Sequence, residues 1–223
     1  MKVYEYIDFL INGEISQLGL SDVGDMAPSS VVTPTAVQVK NRNKIRSYIN
    51  LANIELYKKF DIATKDLELD FALNNEEFTI PDDFLHAISC KFTDGTEIPI
   101  NNDKVEFVDG VDTKVSVMFK DPSKLTIKGT DKDGRKNMVM SYAASPKLAS
   151  TIYINLKLPQ QYTEALLNYA AYKAHVTISG DMKAENNTYY LRYNESCKQI
   201  QLLGLNNPDN LDSNTKLEDN GFV

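Results

Sequence analysis

Tryptophan is absent from this 223-residue chain, and cysteine and histidine occur only twice each. Cys90 and Cys197 lie far apart with no CxxC or Cys/His spacing, which points away from a disulfide framework or a zinc site and toward two buried apolar thiols. His86 and His175 have no acidic or thiol partner at a spacing that builds a metal site or activates a nucleophile, so both read as structural. The ten glycines are scattered singly, and neither a Walker nor a Rossmann phosphate loop can be assembled from them. No cofactor is expected. No run approaches the roughly 18–20 apolar residues of a membrane helix, and the first residues lack the features of a secretory leader, so a soluble chain made in a host cytoplasm is expected. Excess positive charge is missing as well: the net charge is −7, which argues against a protein that grips duplex DNA through clustered lysine and arginine.

What is present is periodicity, and it changes twice along the chain. Val3, Tyr6, Ile7, Leu10, Ile11, Ile15 and Leu18 recur at spacings of three and four, which predicts an amphipathic helix over 3–18. Residues 19–39 lose that pattern to Gly24, Pro28, Ser29, Ser30 and Pro34, and read as an extended arm. A second helix is predicted over about 41–60, with Ile45, Ile49, Ala52, Leu56 and Phe60 on one face. From 65 to 157 the period falls to two, in pairs such as Leu67/Leu69, Phe78/Ile80, Val115/Val117, Leu125/Ile127, Met138/Met140 and Ile152/Ile154. Asp94-Gly95 and Asp133-Gly134 supply hairpin turns, and the block reads as a β-rich insertion of seven or eight strands. Helical spacing then returns near 159–178, opened by Pro159, and near 184–203, closed by Gly204. Residues 205–223 form an Asn- and Asp-rich tail that ends in Asp219, Gly221, Phe222 and Val223, and an aromatic at the tip of a polar tail suits a peg for a pocket on a partner. The fold class is therefore α+β: a helical core from 40–64 and 158–204, a β-rich insertion at 65–157, an N-terminal helix and arm, and a C-terminal tail.

Candidate chemistry is sparse. Asp82 and Asp83 after Pro81 suit the capping of one helical turn better than acid catalysis. The acids around Gly110 and Gly134 lack the downstream bidentate glutamate of a calcium loop, and no metal is expected. Twelve tyrosines are the marked excess, and Tyr162, Tyr169, Tyr172, Tyr189, Tyr190 and Tyr193 gather in the last two helices. With Ile49 and Leu56, they are expected in the helical core or at a subunit interface, since tyrosine joins large contact area to a polar tip.

Four stretches carry a family likeness: Ile49-Asn50-Leu51-Ala52-Asn53-Ile54-Glu55-Leu56-Tyr57; Phe78-Thr79-Ile80-Pro81-Asp82-Asp83-Phe84-Leu85; Leu156-Lys157-Leu158-Pro159 leading into Tyr162 to Tyr172; and Asp219-Asn220-Gly221-Phe222. Together they resemble the head-to-tail connector (adaptor) proteins of short-tailed bacteriophages, with the crAss-like phages as a candidate home. The resemblance implies a non-enzymatic virion protein that forms a ring of about twelve copies beneath the portal, joins further ring or tail proteins below, and encloses a channel for DNA. The competing expectation is a β-rich tail or fibre module that binds host glycan, which would place exposed aromatics on the strands.

Overall fold

The computed structural model describes residues 1–70, 76–101, 115–129, 137–179 and 187–204. The chain divides into two compact units, one formed by Met1–Phe60 with Pro146–Val223 and one by Asp61–Ser145. The fold is α+β.

The first unit contains α1 (Val3–Asn12), α2 (Ala36–Phe60), a 3-10 turn (Gln160–Tyr162), α3 (Thr163–Ser179) and α4 (Thr188–Leu202). α1 buries Val3, Tyr6, Ile7 and Leu10, one face at helical spacing. Its first turn has free N–H groups, and the chain at 152–155 supplies acceptors: Val3 N donates to Ile154 O (3.0 Å) and Tyr4 N to Ile152 O (2.8 Å). The Lys2 N–H donates to the Glu5 carboxylate at 2.6 Å. α1 ends at Asn12 rather than near residue 18, because Gly13 starts a series of turns in which Ile15 N returns to Leu10 O. Ile15 is buried all the same.

α2 begins at Ala36, five residues earlier than its periodicity suggests, with Thr35 and Gln38 exchanging side-chain-to-backbone bonds at its start. The segment read as an extended arm is pinned along its first part to α2 of the same chain. Leu20, Val23 and Met26 are buried. Ile152 and Ile154, expected in a strand, lie in an irregular connection whose strand-like pairing is a single bridge from Lys2 to Asn155. That connection is fastened to α2 by Asn50, whose side-chain amide donates to Ala149 O (3.1 Å) and accepts from Ala149 N (3.0 Å). Arg46 and Tyr57 donate to Ser150 O and Lys157 O. The Asn-Leu-Ala-Asn stretch thus has a local reason: Asn50 holds the returning chain while Ala52 and Asn53 face the interior.

Pro159 precedes the 3-10 turn, so α3 proper starts at Thr163. α4 starts at Thr188 behind Asn187, whose Oδ1 accepts from Tyr189 N (3.0 Å) and Tyr190 N (3.3 Å). It closes before Gly204, whose φ of +65° suits a residue without a Cβ.

The second unit holds two three-stranded antiparallel sheets, ordered β1-β6-β3 and β2-β5-β4, from β1 (Thr64–Asp70), β2 (Glu76–Thr79), β3 (Phe84–Phe92), β4 (Ser116–Asp121), β5 (Lys124–Lys128) and β6 (Asn137–Ala144). Their alternating inward residues meet in one apolar cluster that includes Leu69, Cys90, Val117, Leu125, Ile127, Met138 and Met140. Six strands are described against the seven or eight expected. A turn does form at Asp94-Gly95, but not the two-residue type with both residues at positive φ: Phe92 N donates to Thr96 O at 2.9 Å, three residues lie between them, and of the Asp-Gly pair only Gly95, at +90°, has positive φ, while the Asp94 carboxylate accepts from Thr96 N at 2.9 Å. Asp133-Gly134 and the acids near Gly110 lie outside the described residues.

Candidate functional site

The tyrosines of α3 and α4 form a layer inside the helical unit. Tyr169 meets Tyr193 edge-on at 4.8 Å between ring centroids and Tyr172 at 5.7 Å, and Tyr172 meets Tyr190 at 5.0 Å. Tilted and edge contacts of this kind suit the ring quadrupole. Tyr162 packs on Phe60 at 5.2 Å. Burial pushes the Tyr169 hydroxyl up to about 12 and that of Tyr193 higher still, so neither ionises near neutral pH. Tyr189 stacks on His175 at 4.6 Å; its hydroxyl donates to Glu14 O at 3.0 Å, and His175 Nε2 lies 2.9 Å from the same oxygen. His175 and Tyr189 therefore fix the turn that follows α1.

Ile49, Leu56, Tyr162, Tyr169, Tyr172 and Tyr193 are all buried within their own unit, and Tyr189 is half-buried. Asp219, Gly221, Phe222 and Val223 lie outside the described residues. The surface left for contacts is carried by other side chains. Around α2, Asn41, Arg42, Ile45, Tyr48, Ile49 and Ala52 face inward, while Lys40, Lys44, Ser47, Leu51 and Lys58 are exposed on the far side. Arg42 is the hinge between these faces: Nε donates to Val23 O (2.6 Å) and Nη2 to Asp25 O (2.8 Å), and Asn41 adds a bond to Asp22 O (2.9 Å). The guanidinium presents several donors in a fixed fork, so one side chain holds two carbonyls of a segment with little regular structure. Sequence reasoning missed this role of Arg42; an arginine at a core-facing position of an amphipathic helix was the available signal.

The chemistry expected of a catalytic centre is thin. Asp82 and Asp83 sit in a hydrogen-bonded turn, with Phe84 N donating to Pro81 O, and no helical turn is present for them to cap. Instead Asp83 pairs with Lys65 and accepts from the Tyr142 hydroxyl (3.2 Å), and the lysine ammonium holds its carboxyl below the usual range. His86 Nε2 lies 2.9 Å from Asp61 Oδ1, an acidic neighbour from the connection just before β1 that spacing along the chain does not reveal. Both side chains are about half-exposed, at 46% for His86 and 43% for Asp61. Among the described residues, no group of three His, Cys, Asp or Glu is placed to hold a metal. Phe84 stacks on Phe119 at 5.4 Å, beside an open cavity of about 670 Å³ lined by Ile80, Ala87 and Ile100.

A family model described as SU10 adaptor protein matches residues 20–212, most of the chain. The chain belongs to the SU10 adaptor protein family. As an adaptor it is a structural component of the virion that connects head to tail in a phage particle. Among solved structures, a chain from the "neck of empty GTA particle computed with C6 symmetry" is similar at 12% identity, over 88% of each chain, with a TM-score of 0.31. No curated protein matches.

Proposed function

We propose that this adaptor forms a ring of about twelve copies seated beneath the portal of a short-tailed phage, of which the crAss-like phages are a candidate home, and that the ring joins the capsid to the tail components below. The family match over residues 20–212 carries this reading. In a connector-like arrangement the helices bearing Ile49, Leu56, Tyr162, Tyr169, Tyr172, Tyr189 and Tyr193 serve as the rigid scaffold of each subunit, and the β unit is available to neighbouring tail proteins. A closed ring needs a head-to-tail contact between two different faces of the chain. A net charge of −7 suits a passage that lets duplex DNA slide, since tight retention comes from basic clusters that displace counterions.

The tail supplies a second contact. Its last residues, Asp219, Gly221, Phe222 and Val223, act as a peg, with Phe222 entering a pocket on the portal or an adjacent ring protein. The nineteen residues after Gly204 can span at most about 65 Å when extended, enough to reach an adjoining subunit.

The test is the mass of the purified chain by light scattering, alone and mixed with the portal of its own phage. An assembly of about twelve copies, or a monomer that the portal converts to one, is the expected result. A monomer or trimer indifferent to the portal overturns the ring. Phe222→Ala is expected to weaken docking while leaving the thermal transition of the isolated chain in place, and unchanged portal binding overturns the peg.

A further inference from the structure

The charge of the helical unit is divided along the sequence. Residues 1–35 carry Lys2 against Glu5, Asp8, Glu14, Asp22 and Asp25, a net −4, whereas residues 36–60 carry six lysines and arginines against Glu55, a net +5. The structure turns that division into two surfaces. α1 and the segment 23–27 enclose an open groove of about 600 Å³ that has Val23 and Met26 at its base, Phe9 and Tyr4 among its walls, and Glu5, Asp8 and Asp25 as its carboxylates. Phe9 is 55% exposed there, so much of its ring is left uncovered by the chain. Two cations stand beside this groove: Arg42 bonds the carbonyls of Val23 and Asp25 from behind, and the Lys2 ammonium lies 5.9 Å from the centre of the Tyr4 ring. On the far side of α2, Lys40 and Lys44 stand with the exposed Val37 at the spacing of one helix face, and neither lysine makes an ion pair among the described residues.

We infer that the Val37–Lys44 face of α2 from one copy seats in the α1 groove of a second copy, Val37 covering Phe9 and the two lysines, which share its stripe at i+3 and i+7, reaching Asp8 and Asp25. The inference rests on the ring-forming reading above and names the surfaces that would build it. The second copy is the occupant because the same unit carries both halves of a complementary pair: an apolar groove edged with acid, and an apolar helix face edged with base. An amphipathic helix laid in a groove is a common recognition mode. The two surfaces lie on opposite sides of α2, because segment 22–25 is bonded to Asn41 and Arg42 on its inward face while Lys40 and Lys44 are exposed on the other. A contact between them is therefore head-to-tail, and it leaves a free groove and a free helix face at the two ends of any open chain. The chain's own acidic tail is a poor occupant of the groove, because residues 205–223 carry Asp209, Asp212, Glu218 and Asp219 against Lys216.

The experiment uses the full chain and measures mass by light scattering and sedimentation. Lys40→Glu with Lys44→Glu, and separately Asp8→Lys with Asp25→Lys, each place like charges across the contact and are expected to weaken self-association by about a hundredfold or more. Mixing the two variants restores complementarity at both kinds of junction, since each reversed face then meets a reversed partner, and assembly is expected to return. Asp8→Lys alone serves if Asp25→Lys disturbs the turn that Asp25 makes with Ala27 N. Circular dichroism of each variant checks that it is folded. A wild-type assembly that survives both reversals overturns the inference and leaves the ring reading standing, whereas a wild-type chain that never assembles, with or without portal, overturns both. If Lys40→Glu with Lys44→Glu abolishes retention of a duplex oligonucleotide while the assembly keeps its mass, the α2 face is a nucleic-acid surface and the inference fails.

Discussion

Replacing Arg42 by methionine keeps most of the side-chain stem and removes the fork that holds the carbonyls of Val23 and Asp25, leaving Asn41 on Asp22. Hydrogen bonds from a charged donor contribute about 1.5–3 kcal/mol each, less when the freed acceptor can return to water. Asp25 is exposed, so its carbonyl rehydrates readily, whereas Val23 is 3% exposed and its carbonyl stays poorly solvated while the segment is docked. The loss is therefore taken as about 2–3 kcal/mol, well short of the sum of two full bonds. Burial of Leu20, Val23 and Met26 still favours docking, so local opening is expected before global unfolding. The assay is amide hydrogen exchange at Val23 and Ala27, whose N–H groups bond Ser21 O and the Asp25 carboxylate. At one decade per 1.4 kcal/mol, exchange is expected to speed by about thirtyfold to a hundredfold, with amides in the middle of α3 unaffected. Arg42→Lys should fall between the two, because a single ammonium cannot bridge two carbonyls in a fork, and Lys40→Met, on the exposed face, should change nothing. If exchange at Val23 and Ala27 accelerates by less than about threefold in Arg42→Met, the guanidinium is not what holds this segment.

Burial pushes the Cys90 thiol up to about 11 and raises that of Cys197 as well, so both should resist a maleimide at pH 8 in the folded chain and react fully in denaturant, read by mass spectrometry; rapid labelling of the native protein would contradict their placement. The carboxyl of Asp83 is depressed by Lys65 and Tyr142, so its contribution to stability is present above the ordinary aspartate range and is lost as pH falls through the lowered folded value. Asp83→Asn should accordingly shift the denaturant midpoint of the chain at pH 7, and the gap from wild type should close in acid; a gap that persists below the folded value refutes the electrostatic origin.

Much of the helical architecture could be read from spacing alone because each helix shows one apolar face to the interior. Ile45, Ile49, Ala52, Leu56 and Phe60 identify α2, and Tyr162, Ala165, Leu166 and Tyr169 identify α3, whatever surrounds them. The alternation at Leu125/Ile127 and Met138/Met140 likewise identifies strands that are buried on one face. Periodicity failed where the chain is held by its neighbours. Ile152 and Ile154 alternate like a strand, but their carbonyls are taken by the first turn of α1. The segment after Gly19 looks like a free arm until Arg42 and Asn41, far along the chain, are seen to bond its carbonyls. The groove of α1 was not legible either: Phe9 and Asp8 fall off the apolar stripe, and only the uneven charge of residues 1–35 and 36–60 hinted at it.

The sequence by itself determined the helices and strands, the absence of phosphate-loop and zinc-ligand motifs, and the family likeness, because these depend on residues close together or on composition. Tertiary structure decided which surfaces remain free. It buried Tyr162, Tyr169, Tyr172 and Tyr193 within their own unit, brought Asp61 to His86 and Asp83 to Lys65, and set an acidic groove and a basic helix face on opposite sides of α2. Such pairings join residues far apart in the chain, and only packing fixes which side of an amphipathic element is left exposed.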